Sequence, residues 1–134
     1  MAEKVVNTQV LVVGAGNAAM AGAVAARECG VDVVVLEKAA RAYRGGNSAL
    51  TVHMRFPYRG MEALAPLLSG DSKDKWQSLS EEVSDYSDSD YYDDIMSVTG
   101  GRSDPILARI LVSNAYSTVQ WMRSYGHLWV PSHE

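Results

Sequence analysis

At 134 residues, 47% hydrophobic and 21% charged, the sequence has the length of one small domain and the composition of a globular, not a disordered, chain. A formal net charge of −4 excludes the broad basic surface of a nucleic-acid binder. A single cysteine, Cys29, excludes an intrachain disulfide, and no apolar run approaches the roughly 20 residues of a membrane helix.

The N-terminal MAEKVVNTQ lacks the apolar core of a signal peptide, so a cytoplasmic protein is the expectation. Val10 to Val13 is a short β-branched run, predicted as a strand buried on both faces of a parallel sheet. It ends in Gly14-Ala15-Gly16-Asn17-Ala18-Ala19, which matches the dinucleotide fingerprint G-x-G-x-x-G/A with alanine in the third place. Gly14 allows a tight turn out of the strand. Gly16 lets a pyrophosphate approach the backbone, and Ala19 keeps the helix close to the sheet. An alanine-rich helix is predicted from about Asn17 to Cys29, and its N-terminus aims N–H groups at the phosphates. Cys29 is expected as a small buried or half-buried side chain of this helix. Gly30 suits the residue after the helix. Val33 to Leu36 is the second strand, and Glu37 stands at its end, 23 residues past Gly14. There a carboxylate can accept hydrogen bonds from ribose hydroxyls. It would repel the 2′-phosphate of NADP, but it does not separate NAD from FAD.

Lys38 to Ser48 is predicted as a loop carrying Arg41, Arg44 and Gly45-Gly46-Asn47-Ser48. Paired glycines followed by Asn and Ser suit a backbone lying flat against a ring, and equally an ordinary turn. Leu50, Val52 and Met54 alternate with Thr51, His53 and Arg55, the period of a half-buried strand. His53 and Arg55 either face a substrate anion or are solvated. Gly60 to Gly70 holds a short helix weakened by Pro66. Asp71 to Asp90, rich in Ser and Asp, reads as a surface excursion. The acidic cluster Asp85, Asp88, Asp90, Asp93 and Asp94 lacks the spacing of a calcium loop and reads as a solvated face. A helix is predicted over Ser89 to Val98, ended by Thr99-Gly100-Gly101. Ser103 or Asp104 caps the next one, with Pro105 in its first turn. Its predicted core stripe is Ile106, Leu107, Ile110, Leu111, Ala115, Val119, Met122 and Tyr125, with Gly126 as the stop.

The fold class expected is α/β: a Rossmann-like βαβ unit with additional helices. No further clear buried parallel strand follows Glu37, so either the fold is smaller than usual or the sequence is the incomplete N-terminal portion of a larger protein. The expected divisions are 1–60 for the βαβ unit and the glycine-containing loop after it, 61–90 for the excursion and 91–134 for the helical segment.

Three stretches together carry a family resemblance: VLVVGAGNAAMAGAVAARECGVDVVVLEKA, RGGNSALTVHMR and YYDDIMSVTGGRSDPILARILVSNAYSTVQWMRSYG. They resemble the N-terminal part of FAD-dependent flavoproteins of the fumarate reductase/succinate dehydrogenase family, nearest to the tricarballylate dehydrogenase-like branch. The combination with RGGNS and VTGGR is more specific than the fingerprint alone. The resemblance implies that Gly14, Ala15, Gly16, Asn17 and Ala18 wrap the FAD pyrophosphate. Glu37 would hold the adenosine ribose with Lys38 nearby. Arg44, Gly45, Gly46, Asn47 and Ser48 would belong to the loop along the pyrophosphate and flavin. Some members carry a flavin-linked histidine where Asn47 stands; asparagine cannot form that bond, which implies non-covalent FAD. The family's AxGG-type run is replaced by Ala49-Leu50-Thr51-Val52-His53. A carboxylate-bearing substrate and an electron-transfer partner are implied without being specified. The family's acid/base arginine and substrate ligands lie in a capping domain. No residue of 1–134 matches them, so no catalytic residue is assigned. The chain by itself is expected to be inactive. The competing readings are a catalytically inactive dinucleotide-binding module and an NAD-binding domain.

Overall fold

The computed structural model describes residues 5–51, 53–68 and 83–130. It divides into two compact units, residues 1–53 and 54–134. Most of the predicted excursion, and the Val52 position of the predicted alternating strand, lie outside the described residues.

The first unit is a βαβ. Strand β1 (Val10–Val13) pairs in parallel with β2 (Val33–Leu36), with Val10 opposite Val33 and Val13 opposite Leu36. Helix α1 (Asn17–Glu28) makes the crossover and packs on both strands. Thr8 fixes the entry to β1, its hydroxyl donating to the Asp32 carbonyl at 2.8 Å. α1 turns Ala23 fully inward, and its row of alanines permits close approach to the sheet.

The strands are not buried on both faces. Leu11, Val13 and Leu36 are 54%, 79% and 53% exposed, because a single helix covers one face of a two-stranded sheet. Cys29 is exposed and stands just past the helix, at its C-cap. Gly30 follows at φ 80°.

The second unit is mostly helical. Helix α2 (Gly60–Leu64) is short, and Pro66, which has no N–H, cannot extend its ladder. Helix α3 (Asp88–Val98) begins one residue before the predicted start. Its capping box explains the shift. The Ser87 hydroxyl accepts the Asp90 N–H at 3.2 Å, and the Asp90 carboxylate accepts the Ser87 N–H at 2.8 Å. The Ser87 hydroxyl also donates to the Asp90 carboxylate at 2.6 Å, and this bond first, then that of the Ser87 N–H, holds the Asp90 carboxyl below its ordinary range. Thr99-Gly100-Gly101-Arg102 joins α3 to helix α4 (Pro105–Ser124). The Thr99 hydroxyl donates to the Ile95 carbonyl at 2.8 Å, and the Arg102 side chain donates to the Thr99 carbonyl at 3.0 Å. The Asp104 carboxylate caps α4 by accepting the Ile106 and Leu107 N–H groups at 2.8 and 3.1 Å.

α4 packs on α3, and its fully buried residues overlap the predicted stripe only at Val119. Ala108, Val112 and Val119 are buried, whereas Ile106 and Leu107 are 69% and 65% exposed and Ile110, Leu111 and Tyr125 are also exposed. Of the predicted set only Val119 is fully buried, with Ala115 and Met122 half-buried. The Arg109 guanidinium lies 4.5 Å above the Tyr92 ring.

Residues 53–57 are not a strand. The Arg55 guanidinium is bound to the Asp94 carboxylate at 2.7 Å, and the same oxygen accepts the Tyr86 hydroxyl at 2.7 Å. Burial and that hydrogen bond push Tyr86 up to about 12. Leu67 and Leu68 are buried, and Phe56 lies within about 6 Å of the Tyr58, Tyr116 and Trp129 rings. Among the described residues no helix is long and apolar enough to cross a membrane.

Candidate functional site

The fingerprint turn leaves β1 at Gly14, whose φ is 101°. Its N–H still bonds to the sheet, donating to the Leu36 carbonyl at 2.6 Å. A Cβ there would meet nothing within 4 Å, so the backbone conformation, not space, calls for glycine. Gly16 is the opposite case. Its φ of −76° suits any residue. A Cβ on it, however, would stand 3.5 Å from the Ser48 hydroxyl and 3.6 Å from the Gly45 carbonyl. Its bare backbone faces the second loop across a narrow gap.

Gly16 is also the N-cap of α1, and it brings no side chain to the helix end. No acidic residue occupies the first turn. Among the described residues, the Gly16, Ala18 and Ala19 N–H groups have no hydrogen-bond partner. The Asn17 N–H is taken by the Ser48 hydroxyl at 3.0 Å. The helix therefore presents unpaired donors and a positive pole at the turn, the arrangement that receives an anion.

Glu37 closes the other side. Its Oε2 accepts the Ala15 N–H at 2.8 Å, and its Oε1 accepts the Ala39 N–H at 2.8 Å. The Ala39 and then the Ala15 bond, with help from Lys38, hold the carboxyl below its ordinary range. Each carboxylate oxygen has two lone pairs, so both can still accept from ribose hydroxyls. The acid at the strand end thus faces the turn.

The second loop forms a 3-10 turn, Arg41–Tyr43, and a 3-10 helix, Gly46–Leu50. Gly45 joins them at φ 96° and passes so close that a Cβ would lie 3.7 Å from the Ala15 carbonyl. Arg44 folds back on its own loop and donates to the Arg41 carbonyl at 2.9 Å.

Of the residues singled out in the sequence, the fold brings together Gly14, Ala15, Gly16, Asn17, Glu37, Gly45 and Ser48. Ala18, Lys38, Gly46 and Asn47 lie exposed around them. Arg55 is tied to Asp94, and His53 is exposed. Two participants were not foreseen. The Ala39 N–H orients Glu37, and the Ser48–Asn17 bond joins positions 31 apart. No local pattern signals a bond between such distant positions.

Glycines at the close approaches, an open helix pole and a carboxylate with free lone pairs fit a dinucleotide. The sequence comparisons agree. The FAD binding domain family matches residues 9–134. The chain is 31% identical over 119 residues to "Probable fumarate reductase Ifc3" of Shewanella frigidimarina (strain NCIMB 400), covering 89% of this chain. It spans 17% of that relative's length. No solved structure gives a significant match.

Proposed function

This chain belongs to the FAD-binding domain family, and from that premise we propose that its first unit cradles FAD between the fingerprint turn and the Gly45–Ser48 loop. The Gly16, Ala18 and Ala19 N–H groups would bind the pyrophosphate, beside Ala15 and Asn17. Glu37 would accept the adenosine ribose hydroxyls, with Lys38 near the phosphates. Gly45, Gly46, Asn47 and Ser48 would lie along the cofactor, and Arg44 would brace their loop. Because Asn47 cannot form a histidyl–flavin bond, FAD is held without covalent attachment. The observation that carries this reading is Glu37 bonding across to Ala15, which ties the ribose position to the phosphate turn.

In the whole protein we propose an FAD-dependent oxidoreductase of the fumarate reductase type, acting on a carboxylate-bearing substrate with an electron-transfer partner. FAD, when bound, supplies hydride transfer. This chain's residues bind the nucleotide, orient it and keep its phosphates neutralised. The divisions 1–60, 61–90 and 91–134 belong to the same proposal, with the first holding the cofactor.

Titrating the full protein with FAD should quench flavin fluorescence, while NADH should give no saturable binding. Acid precipitation should release all the flavin. Flavin retained in the pellet would contradict non-covalent attachment, and saturable NADH binding without FAD binding would contradict the reading as a whole. FAD binding without turnover of any carboxylate would favour an inactive binding module.

A further inference from the structure

We propose that the second unit carries a binding site for a small zwitterion with an aromatic body, of the class of the aromatic amino acids, in the cleft lined by Tyr58, Tyr86, Tyr116, Arg59 and Asp88. The site is built within the second unit alone and stands whether or not the first unit takes FAD. Three observations carry it.

First, the cleft has the size for a ligand and a fixed aromatic lining. Its volume is about 610 Å³, within the usual range of small-molecule pockets. A two-way backbone bridge sets Tyr58 beside Tyr86. The Tyr58 N–H donates to the Tyr86 carbonyl at 2.8 Å, and the Tyr86 N–H donates to the Tyr58 carbonyl at 3.0 Å. The two ring centroids lie 6.2 Å apart. Tyr116 comes from α4, and its hydroxyl donates to the Ala63 carbonyl of α2 at 2.8 Å. The Tyr86 hydroxyl is committed to Asp94. With those two polar tips engaged, the rings offer a ligand mainly their apolar surface.

Second, two opposite charges line the same cleft without pairing. Arg59 and Asp88 both border it, yet among the described residues neither side chain has an ion-pair, hydrogen-bond or ring partner. Other charged side chains of this unit are engaged: Arg55 holds Asp94, Arg109 covers the Tyr92 ring and Asp104 caps α4. Third, both charges stand on held backbone. Arg59 follows the Tyr58–Tyr86 bridge directly. Asp88 is the first residue of α3, whose start is locked by the reciprocal Ser87–Asp90 bonds. Asp90 is spent on that cap, and Asp88 is not.

An open guanidinium matches a carboxylate, which its fork binds in two parallel hydrogen bonds. An open carboxylate matches an ammonium. A ligand with one charge alone would leave the other residue uncompensated, whereas a zwitterion meets both, and charge complementarity of this kind selects the partner. The tyrosine rings take the apolar body. Because the rings are fixed before the ligand arrives, binding loses little freedom in ordering them.

The test is calorimetry on the full protein with phenylalanine and three analogues that each lack one part. Hydrocinnamate has no ammonium, phenethylamine no carboxylate and alanine no ring. Phenylalanine should bind saturably and more tightly than any of the three. Arg59→Gln should weaken phenylalanine and hydrocinnamate about three- to tenfold, the range for a hydrogen-bonded charge at an exposed position, and leave phenethylamine unchanged. Asp88→Asn should weaken phenylalanine and phenethylamine by a similar factor and leave hydrocinnamate unchanged. Loss of structure does not produce this crossed pattern, since it weakens every ligand together. Absence of saturable phenylalanine binding to the unmodified protein would overturn the proposal. So would an analogue that binds as tightly as phenylalanine, equal losses for all ligands in either variant, or unchanged phenylalanine binding in both.

Discussion

At Gly14 a methyl group would find open space and a hostile φ; at Gly16 it would find an ordinary φ and ordinary contact with the Gly45–Ser48 loop. The two positions therefore separate folding from binding. Gly14→Ala should cost about 1–3 kcal/mol of stability, the usual penalty for a side chain at positive φ, and show as a lowered Tm. Gly16→Ala should leave Tm nearly unchanged, since contacts of 3.5–3.6 Å are ordinary, yet weaken FAD roughly tenfold by filling the space for the pyrophosphate. Calorimetry beside thermal melts reads both; a Gly16→Ala protein with full FAD affinity would contradict the placement. Glu37 adds a pH signature. Its folded-state pKa is lowered by the Ala39 and Ala15 N–H bonds. The unfolded chain thus takes up the proton first as pH falls. The stabilisation is complete above the ordinary glutamate range and is lost as pH drops through the lowered value. Between pH 7 and 3, Tm should fall further in the wild type than in Glu37→Gln; parallel curves would show that these bonds contribute nothing. The acid at position 37 was legible because strand, turn and helix fix its distance from Gly14. Its two backbone partners were not, because they depend on how the following loop folds.

Helix ends were legible and helix faces were not, and α4 shows why. Asp104 and Pro105 act on the backbone beside them, so the start of the helix follows from local chemistry. Which apolar stripe is buried depends on the partner. Counting hydrophobic residues favoured a stripe from Ile106 and Leu107 through Ile110 and Leu111 to Val119; of these only Val119 is fully buried, and the other buried positions are Ala108 and Val112. Substitutions should report the difference. Val119→Ala, at a residue 2% exposed, should cost about 2 kcal/mol. Ile106→Ala should change stability by no more than about 0.5 kcal/mol. Chemical denaturation measures both, and the reverse order would refute the packed face. α3 offers a cap to test. Ser87→Ala should cost about 1 kcal/mol by breaking the capping box, with a change in the midpoint of urea unfolding as the readout. The VTGGR motif, part of the family resemblance, forms the turn between these helices; positive φ at Gly100 and Gly101 and the Thr99 hydroxyl account for its composition.

For the molecule as a whole, the βαβ order and a dinucleotide cofactor were readable in one stretch of sequence, and FAD in particular from the resemblance carried by three. The α/β class and the match to the FAD binding domain family agree with that reading. Burial on both sheet faces was not observed, since two strands and one helix leave Leu11, Val13 and Leu36 exposed. The chain spans 17% of the length of the fumarate reductase it resembles. The binding claim can be settled by hydrogen–deuterium exchange of the full protein with and without FAD. FAD should slow exchange at Gly16, Ala18 and Ala19 and in the Gly45–Ser48 loop, and leave Pro105–Ser124 unchanged. FAD that binds while those amides exchange as before would contradict the account.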